Sequence, residues 1–160
     1  MARQLWFLRH GEAEPHGARP DSERRLTDRG EAQAVAAGRA LAALGCSFAH
    51  LFTSPKVRGR DTARLAAPPL AAEPTDHEAL ASGFGRDDAL ELLHAVGAGE
   101  RLLVVGHEPD FSQVVHDLTG ARVDLKKGGV AGVRMKGTTG GELVVLLRPN
   151  ELERIGAGPA

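Results

Sequence analysis

Two histidines and two arginines stand shortly after apolar runs of the sequence, where their side chains could meet in a folded chain. Arg9 and His10 follow the first run, Arg58 comes soon after the second, and His107 follows the third. The planar fork of a guanidinium binds phosphate oxygens in pairs, and an imidazole can accept a phosphoryl group covalently. Two guanidiniums would also stabilise the charge of a phosphoryl group in the transition state. These residue types therefore predict chemistry on a phosphate.

The apolar runs before these residues are predicted strands of one sheet. Gln4 to Leu8, His50 to Thr53 and Arg101 to Val105 are short and largely apolar, as buried parallel strands are. Helical segments separate them, which is the order typical of a mostly parallel sheet. The ligand site of such a sheet lies off the carboxyl ends of its strands. We therefore expect the polar residues after the three strands to share one pocket.

The fold class predicted from this pattern is α/β: a three-layer αβα sandwich with a mostly parallel central sheet and an antiparallel edge strand. The predicted helices cover 30–44, Ser54-Pro55 to Leu65, 87–96, and Pro109 to about Leu118. An extended segment is expected over 75–79, and the β-rich runs 130–135 and 142–147 should form a hairpin at the sheet edge. Residues 1–150 are assigned to a single domain, and 151–160 are predicted to be a poorly ordered polar tail.

Composition limits the classes of function. The 160 residues carry a net charge of −1, with 20 basic and 21 acidic residues, and no stripe of Lys and Arg typical of nucleic-acid binding. The first apolar run is too short for a signal peptide or a membrane span. Cys46 is the only cysteine, which excludes an intrachain disulfide and a zinc site built from cysteines. The expectation is a cytoplasmic protein that binds neither nucleic acid nor membranes.

Four motifs stand in order between residue 8 and about residue 110. They are Arg9-His10-Gly11, Arg24-Arg25-Leu26-Thr27-Asp28-Arg29-Gly30, Ser54-Pro55-Lys56-Val57-Arg58 with Thr62, and Gly106-His107-Glu108-Pro109. Together they resemble the motifs of the histidine phosphatase superfamily, which has the phosphoglycerate mutase-like fold. Arg-His-Gly alone is a weak signal, whereas several motifs in family order, each after a strand, are specific. The last three motifs, together with the compact length, further resemble one small branch, the SixA-type phosphohistidine phosphatases.

The resemblance implies a role for each matching residue. His10 would be the nucleophile that becomes phosphohistidine, and Arg9 and Arg58 would bind the phosphate. His107 would give a hydrogen bond or a positive charge to the same group. Neither a metal nor an organic cofactor is expected for this family.

Three further residues are assigned with the help of the resemblance. Ser54 and Arg24, which belong to two of the motifs, are expected on the substrate-binding side. Larger members of the family use a glutamate after the third strand as proton donor, and Glu78 is the residue that the segment 76–83 offers for this role. A phosphorylated imidazole is already a good leaving group once its ring is protonated, so a dedicated acid matters less for it than for an alcohol.

The substrate that the resemblance implies is phosphohistidine on another protein, for example a histidine phosphotransfer domain of a signalling relay. One alternative is the same chemistry on a small phosphomonoester or sugar phosphate. The other is a non-catalytic module that binds phosphate or a phosphoprotein, which the presence of both histidines and both arginines disfavours. No histidines have the spacing of a zinc hydrolase. The remaining ones are interpreted as surface or structural residues: His16, His50, His77, His94 and His116.

Overall fold

The computed structural model describes residues 1–158, in which strands and helices alternate as in an α/β protein. The strands are β1 (Gln4–Arg9), β2 (His50–Thr53), β3 (Pro74–Asp76), β4 (Arg101–Gly106), β5 (Val130–Lys136) and β6 (Gly140–Leu147). The helices are α1 (Asp28–Ala43), α2 (Val57–Ala66), α3 (Arg86–Leu92), α4 (Asp110–Thr119) and α5 (Pro149–Ala157). Short 3-10 turns cover Asp21–Glu23, Pro68–Leu70, Glu78–Leu80 and Leu93–Ala95.

The six strands form one sheet in the order β3-β2-β4-β1-β5-β6. The first four of these pair in parallel, β5 is antiparallel to β1, and β6 is antiparallel to β5. The predicted mostly parallel sheet is confirmed, and the hairpin contributes two antiparallel strands at its edge. Arg9 of β1 lies opposite Gly106 of β4, and Thr53 of β2 lies opposite Val105. The strands β1, β4 and β2 therefore end side by side.

Helices cover both faces of the sheet, which confirms the three-layer sandwich. Side chains of a strand alternate between faces, so Leu5 and Phe7 of β1 join one core with α3 and α4. Trp6 and Leu8 join the opposite core with α1, α2 and α5. Within the described residues, no helix combines the length and the apolar character needed to cross a membrane.

Three predicted element boundaries are wrong. The second helix begins at Val57 and not at Ser54-Pro55, because the Ser54 hydroxyl accepts a hydrogen bond from the Lys56 N–H at 3.1 Å and forms a turn before the helix. The extended segment expected over 75–79 ends at Asp76 and continues as a 3-10 turn. The helix expected over 87–96 runs from Arg86 to Leu92 and then tightens into a 3-10 turn.

The prediction of a poorly ordered polar tail is wrong for residues 151–157, which belong to α5. Pro149 occupies the first turn of this helix, where its missing N–H costs nothing, and the Glu151 carboxylate accepts a hydrogen bond from the Arg148 N–H. Leu152 is completely buried against the core beside α1. A domain boundary after residue 150 would cut this helix, and the predicted tail residues 159–160 lie outside the described part of the chain.

Candidate active site

The ends of β1, β2 and β4 bring together three of the predicted site residues. The His10 N–H donates to the Gly106 carbonyl at 3.0 Å, and the Ser54 N–H donates to the Val105 carbonyl at 2.9 Å. These bonds continue the sheet ladder by one residue beyond each strand. His107 follows β4 directly, and its ring centroid lies 5.1 Å from that of His10. The two imidazoles are thus held by the backbone of a rigid sheet.

A small cavity of about 210 Å³ lies at this edge of the sheet. It brings together five of the residues predicted from the sequence, namely Arg9, His10, Arg24, Arg58 and His107. The other residues that line it are Ala13, Glu14, Pro15, His16, Glu108 and Lys127. Positive groups therefore dominate a space of the size that a phosphoryl group and its nearest atoms would fill.

Within residues 1–158, only one nitrogen of the His10 imidazole has a hydrogen-bond partner. Its Nδ1 lies 2.7 Å from the Gly11 carbonyl oxygen, which can only accept a hydrogen bond, so Nδ1 carries the proton and Nε2 keeps its lone pair. The side chain is 6% exposed. Burial, helped by the positive charges of Arg58, Arg9 and Lys127, lowers the pKa of His10 to about 3. The ring is therefore neutral and nucleophilic at neutral pH.

His107 is also a buried, neutral imidazole. Its Nε2 lies 2.7 Å from the hydroxyl oxygen of Ser54, which is fully buried. Burial, followed by the neighbouring His10 and the charges of Arg58 and Lys56, lowers the pKa of His107 to about 3. Its Nδ1 is buried with no hydrogen-bond partner within residues 1–158. Ser54 thus lies behind His107 and contacts its ring, and it does not line the cavity.

Both predicted phosphate-binding arginines are held by backbone carbonyls. Arg9 donates from Nη1 to the Leu125 carbonyl at 2.9 Å, and Arg58 donates from Nη1 to the Asp21 carbonyl at 2.7 Å. The Nε atoms of both side chains are buried without a partner in the described residues. Burial lowers the pKa of each guanidinium from a starting value so high that both stay protonated. The cavity therefore contains two fixed positive charges with unused donors.

Arg24 lines the cavity, and residues of the loop that carries it accept its hydrogen bonds. Its Nε and Nη2 lie 3.2 and 3.1 Å from Oδ1 of Asp21, and Nη1 donates to the Glu14 carbonyl at 2.7 Å. The second Asp21 oxygen, Oδ2, lies 2.9 Å from Nζ of Lys56. The hydrogen bond from Lys56 is the largest cause of a pKa of Asp21 far below its usual range. One carboxylate therefore bridges several cations at the rim.

Thr62 links the nucleophile loop to the helix that carries Arg58. Its hydroxyl accepts from the Gly11 N–H at 3.1 Å and donates to the Arg58 carbonyl at 2.7 Å. The same loop passes so close to α1 that a Cβ on Gly30 would lie 1.9 Å from the Glu12 carbonyl oxygen. Only glycine permits this approach. These contacts fix His10 relative to Arg58.

Glu78 is not among the residues that line the cavity. It is exposed and opens the 3-10 turn after β3, the outermost strand on that side of the sheet. The carboxylates that do line the cavity are Glu14 and Glu108, and both already accept hydrogen bonds, from the Arg25 N–H and the Ser112 N–H. Across the residues that the structure describes, no cluster of three or more His, Cys, Asp or Glu side chains could hold a metal ion.

Of the cavity residues that were not predicted to belong to the site, two carry side chains with nitrogen atoms, His16 and Lys127. His16 lies in the loop after β1 and was interpreted as a surface or structural residue. Lys127 lies in the turn that precedes β5, and no motif marks it. Neither residue comes directly after a predicted strand, which is the pattern that indicated Arg9, His10 and His107. The loop that carries His16 lies between the first two motifs, and this position could have indicated that it belongs to the site.

Residues 5–90 match the family model described as the histidine phosphatase superfamily (branch 1). The chain belongs to this superfamily. An uncharacterised protein of Picosynechococcus sp. (strain ATCC 27264 / PCC 7002 / PR-6) is 33% identical over 162 residues, which cover 93% of this chain and 98% of that protein. The resemblance found in the four motifs is confirmed by these matches.

Solved structures of the superfamily have the same fold. A candidate SixA phosphohistidine phosphatase of Nakamurella multipartitia is 26% identical, with a TM-score of 0.79 over 93% of this chain and 97% of that one. A candidate α-ribazole-5′-P phosphatase of Escherichia coli str. K-12 substr. MG1655 is 21% identical, with a TM-score of 0.74 over 92% of this chain and 98% of that one. The shared phosphoglycerate mutase-like fold therefore occurs with proteins named for different substrates.

Proposed function

We propose that this histidine phosphatase superfamily member hydrolyses phosphohistidine on a protein, through a covalent phosphohistidine at His10. The observation that carries the proposal is the neutral, buried His10 ring, whose Nε2 is free while Nδ1 is fixed on the Gly11 carbonyl at 2.7 Å. It stands in a cavity that is also lined by the guanidiniums of Arg9 and Arg58 and by the imidazole of His107. This arrangement supplies a nucleophile and its charge stabilisation in one place.

In the first step, the lone pair of His10 Nε2 attacks phosphorus, and the bond from phosphorus to the nitrogen of the substrate breaks. The electron pair of that bond stays on the departing nitrogen. A proton already on the other ring nitrogen of the substrate makes the released imidazole neutral. Arg9 and Arg58 stabilise the charge on the phosphoryl oxygens, and the Gly11 carbonyl stabilises the cationic ring of phosphorylated His10.

In the second step, water attacks the phosphorus of phosphorylated His10, and the bond from phosphorus to Nε2 breaks. The electron pair returns to Nε2, which restores the neutral ring with its proton on Nδ1. The proton lost by the water stays with the released inorganic phosphate. We propose that His107, which lies across the cavity from His10, donates a hydrogen bond to the phosphoryl oxygens through both steps.

The state of the two carboxylates in the cavity favours a substrate whose leaving group is a nitrogen. An alcohol must be protonated as it leaves, whereas a phosphorylated imidazole with a protonated ring needs no such acid. Hydrogen bonds from the Arg25 N–H and from Arg19 lower the pKa of Glu14, which makes this carboxyl a poor proton donor. Glu108 accepts from the N–H and the hydroxyl of Ser112. Neither carboxylate is arranged to protonate an alcohol.

The size of the cavity supports a substrate whose larger part stays outside. Sites that enclose small ligands commonly measure about 300–1,000 Å³, whereas this cavity measures about 210 Å³. A phosphoryl group and the ring edge bound to it would enter, and the rest of the substrate would lie on the protein surface. A histidine that projects from a folded partner, such as a phosphotransfer domain, has this shape.

Trapping the intermediate tests the role of His10. The enzyme is mixed with a histidine protein carrying labelled phosphate and then quenched. We expect acid-labile, base-stable label on the wild type and on His94→Ala, since His94 is an exposed residue paired only with Glu91, and none on His10→Ala. Full turnover by His10→Ala would overturn the mechanism.

Comparing substrates tests the proposed leaving group. The value of kcat/KM is measured on a phosphorylated histidine protein and on a panel of sugar phosphates and aryl phosphates. We expect the histidine protein to be preferred by a wide margin, because no acid of the cavity serves an alcohol. A preference for a sugar phosphate would assign the chain to small-molecule chemistry instead.

A further inference from the structure

A second, larger groove adjoins the cavity and shares two of its basic residues. The groove measures about 540 Å³, and Arg9 and Lys127 line both spaces. Three further cations line only the groove, namely Arg29, Lys126 and Arg148. They come from separate parts of the chain: the first turn of α1, the turn before β5, and the residue before α5. Folding has therefore concentrated positive charge beside a cavity whose substrate must extend outward.

The charge of the groove differs in sign from that of the chain. Its five cations face one lining carboxylate, Glu12, and two carboxylates from outside the lining, Asp124 and Glu151, which pair with Lys126 and Arg148. Five positive and three negative charges leave a local net charge of +2, against −1 for the chain. Within residues 1–158, Lys127 has no ion-pair partner, and its charge is among those that lower the pKa of His10.

The existing ion pairs are weak enough to be exchanged for those of a ligand. The side chains of Lys126 and Arg148 are 55% and 66% exposed, and their pairs with Asp124 and Glu151 are solvated. Exposed pairs of this kind contribute little to stability. A ligand with several carboxylates could therefore replace the intramolecular partners at small cost.

The position of the lysines is fixed by the strand that carries the nucleophile. The Gly128 N–H donates to the carbonyls of Arg9 and His10, at 3.1 and 2.9 Å, and the Gly129 carbonyl accepts from the Arg9 N–H at 3.1 Å. Lys126 closes the same turn by accepting from the Gly129 N–H at 2.7 Å. The turn that carries the two lysines of the groove is consequently anchored to the strand that leads into the catalytic cavity.

We propose that this groove binds an acidic surface segment of the phosphoprotein, next to the phosphohistidine that enters the cavity. The inference rests on the proposed function and adds the class of partner: a histidine protein with Asp or Glu beside the phosphorylated residue. Because Arg9 and Lys127 line both the groove and the cavity, acidic side chains bound in the groove would lie near the reacting group. Complementary charge at such a rim raises the rate of encounter and selects the partner.

Two synthetic peptides with one phosphohistidine test this, one flanked by aspartates and one by asparagines. The enzymes are the wild type and a groove variant, Lys126→Gln with Arg148→Gln. The control variant is Arg64→Gln with Lys136→Gln. Its side chains are 65% and 67% exposed and paired with Asp61 and Glu142, and they lie outside both the groove and the cavity.

The wild type and the control variant should prefer the acidic peptide in kcat/KM by roughly two- to tenfold at low salt, as expected for a few exposed charge pairs. The preference should shrink as salt screens it. The groove variant should lose the preference and keep its rate on the asparagine peptide and on p-nitrophenyl phosphate.

The outcomes separate the two proposals. If the wild type turns over both peptides equally, or if the groove variant keeps the preference, the groove has another occupant and only the present inference fails. A groove effect seen only with a small bisphosphate ester would assign the groove to that ligand and would also overturn the inference. If neither peptide is hydrolysed while p-nitrophenyl phosphate is, the proposed function itself fails, and the inference with it.

Discussion

Oδ2 of Asp21 lies 3.3 Å from Nη2 of Arg58, while the backbone carbonyl of the same aspartate accepts from Nη1 of Arg58 at 2.7 Å. The guanidinium is thus held by one neutral and one charged oxygen on a loop at the cavity rim. The carboxylate, which also contacts Lys56, faces the same cations that a phosphate would use. It reduces the positive potential of the cavity in the absence of substrate.

Replacing Asp21 by Asn should strengthen phosphate binding. The amide keeps an oxygen near Arg58, and the backbone carbonyl still holds Nη1, but the negative charge is lost. We expect the inhibition constant of inorganic phosphate to fall roughly two- to fivefold, because the Asp21 side chain is 47% exposed and solvent screening limits the effect of its charge to about 1 kcal/mol. Inhibition of p-nitrophenyl phosphate hydrolysis measures it.

Asp61→Asn is a matched control, since this carboxylate pairs with Arg64 on α2 and does not line the cavity. It should leave the inhibition constant of phosphate unchanged. A rise in that constant for Asp21→Asn would mean instead that the charge of Asp21 is needed to orient Arg58.

The two buried imidazoles predict how stability depends on pH. Folding lowers the pKa of His10 and of His107 to about 3, from about 6.5 in an unfolded chain. The unfolded state therefore binds more protons between these values, and the free energy of unfolding decreases as the pH falls through this window. Between these pH values, each histidine lowers the free energy of unfolding by up to about 1.4 kcal/mol for each unit by which the pH falls. Above about pH 6.5 the two histidines cause no such loss.

NMR of the imidazole resonances and denaturation at several pH values check this prediction. The signals of His10 and His107 should stay those of neutral rings down to about pH 4.5. His107→Asn should flatten the dependence of stability on pH between about 4 and 6. A His10 ring that titrates near pH 6.5 in the folded protein would contradict the assignment of a neutral nucleophile.

Thr62 provides a test of how the site is held together. Thr62→Val keeps the shape of this fully buried side chain but leaves the Gly11 N–H without its acceptor and removes the hydroxyl that donates to the Arg58 carbonyl. Loss of a buried hydrogen-bond partner costs about 1–3 kcal/mol. We expect a decrease of that size in the free energy of unfolding by urea, together with a lower kcat.

Thr62→Ser is the control, because it removes a methyl group and keeps the hydroxyl. It should retain most of kcat. If Thr62→Val lowered stability but left kcat at the wild-type value, the bond from Thr62 to Gly11 would be structural and unconnected with the position of His10.

The core of the site was predictable because it follows from one rule of sheet geometry. Arg9 ends β1, His10 and His107 directly follow β1 and β4, and the carboxyl ends of parallel strands meet at one edge. Arg58 was found through its motif, since it lies five residues beyond β2, at the start of α2. The three-layer fold followed from the alternation of strands and helices.

Other parts depend on contacts that sequence order does not reveal. Glu78 also follows a strand, but β3 is the edge strand, separated from β1 by β2 and β4. Lys127 reaches the cavity only because β5 pairs with β1, a contact between segments more than 120 residues apart. The order of strands in the sheet decides both outcomes, and local periodicity does not encode it.

Helix α5 was missed because its apolar residues are few, and it offers the last test. Leu152 is completely buried and packs in the core shared with α1, and Ile155 is the other large apolar residue of the helix that packs there. Leu152→Ala removes buried methyl groups and leaves a cavity, which costs about 2–5 kcal/mol. The exposed neighbour Glu153→Ala should change the free energy of unfolding by less than about 0.5 kcal/mol. Urea denaturation of the full chain measures both, and equal small effects would show that α5 contributes nothing to the fold.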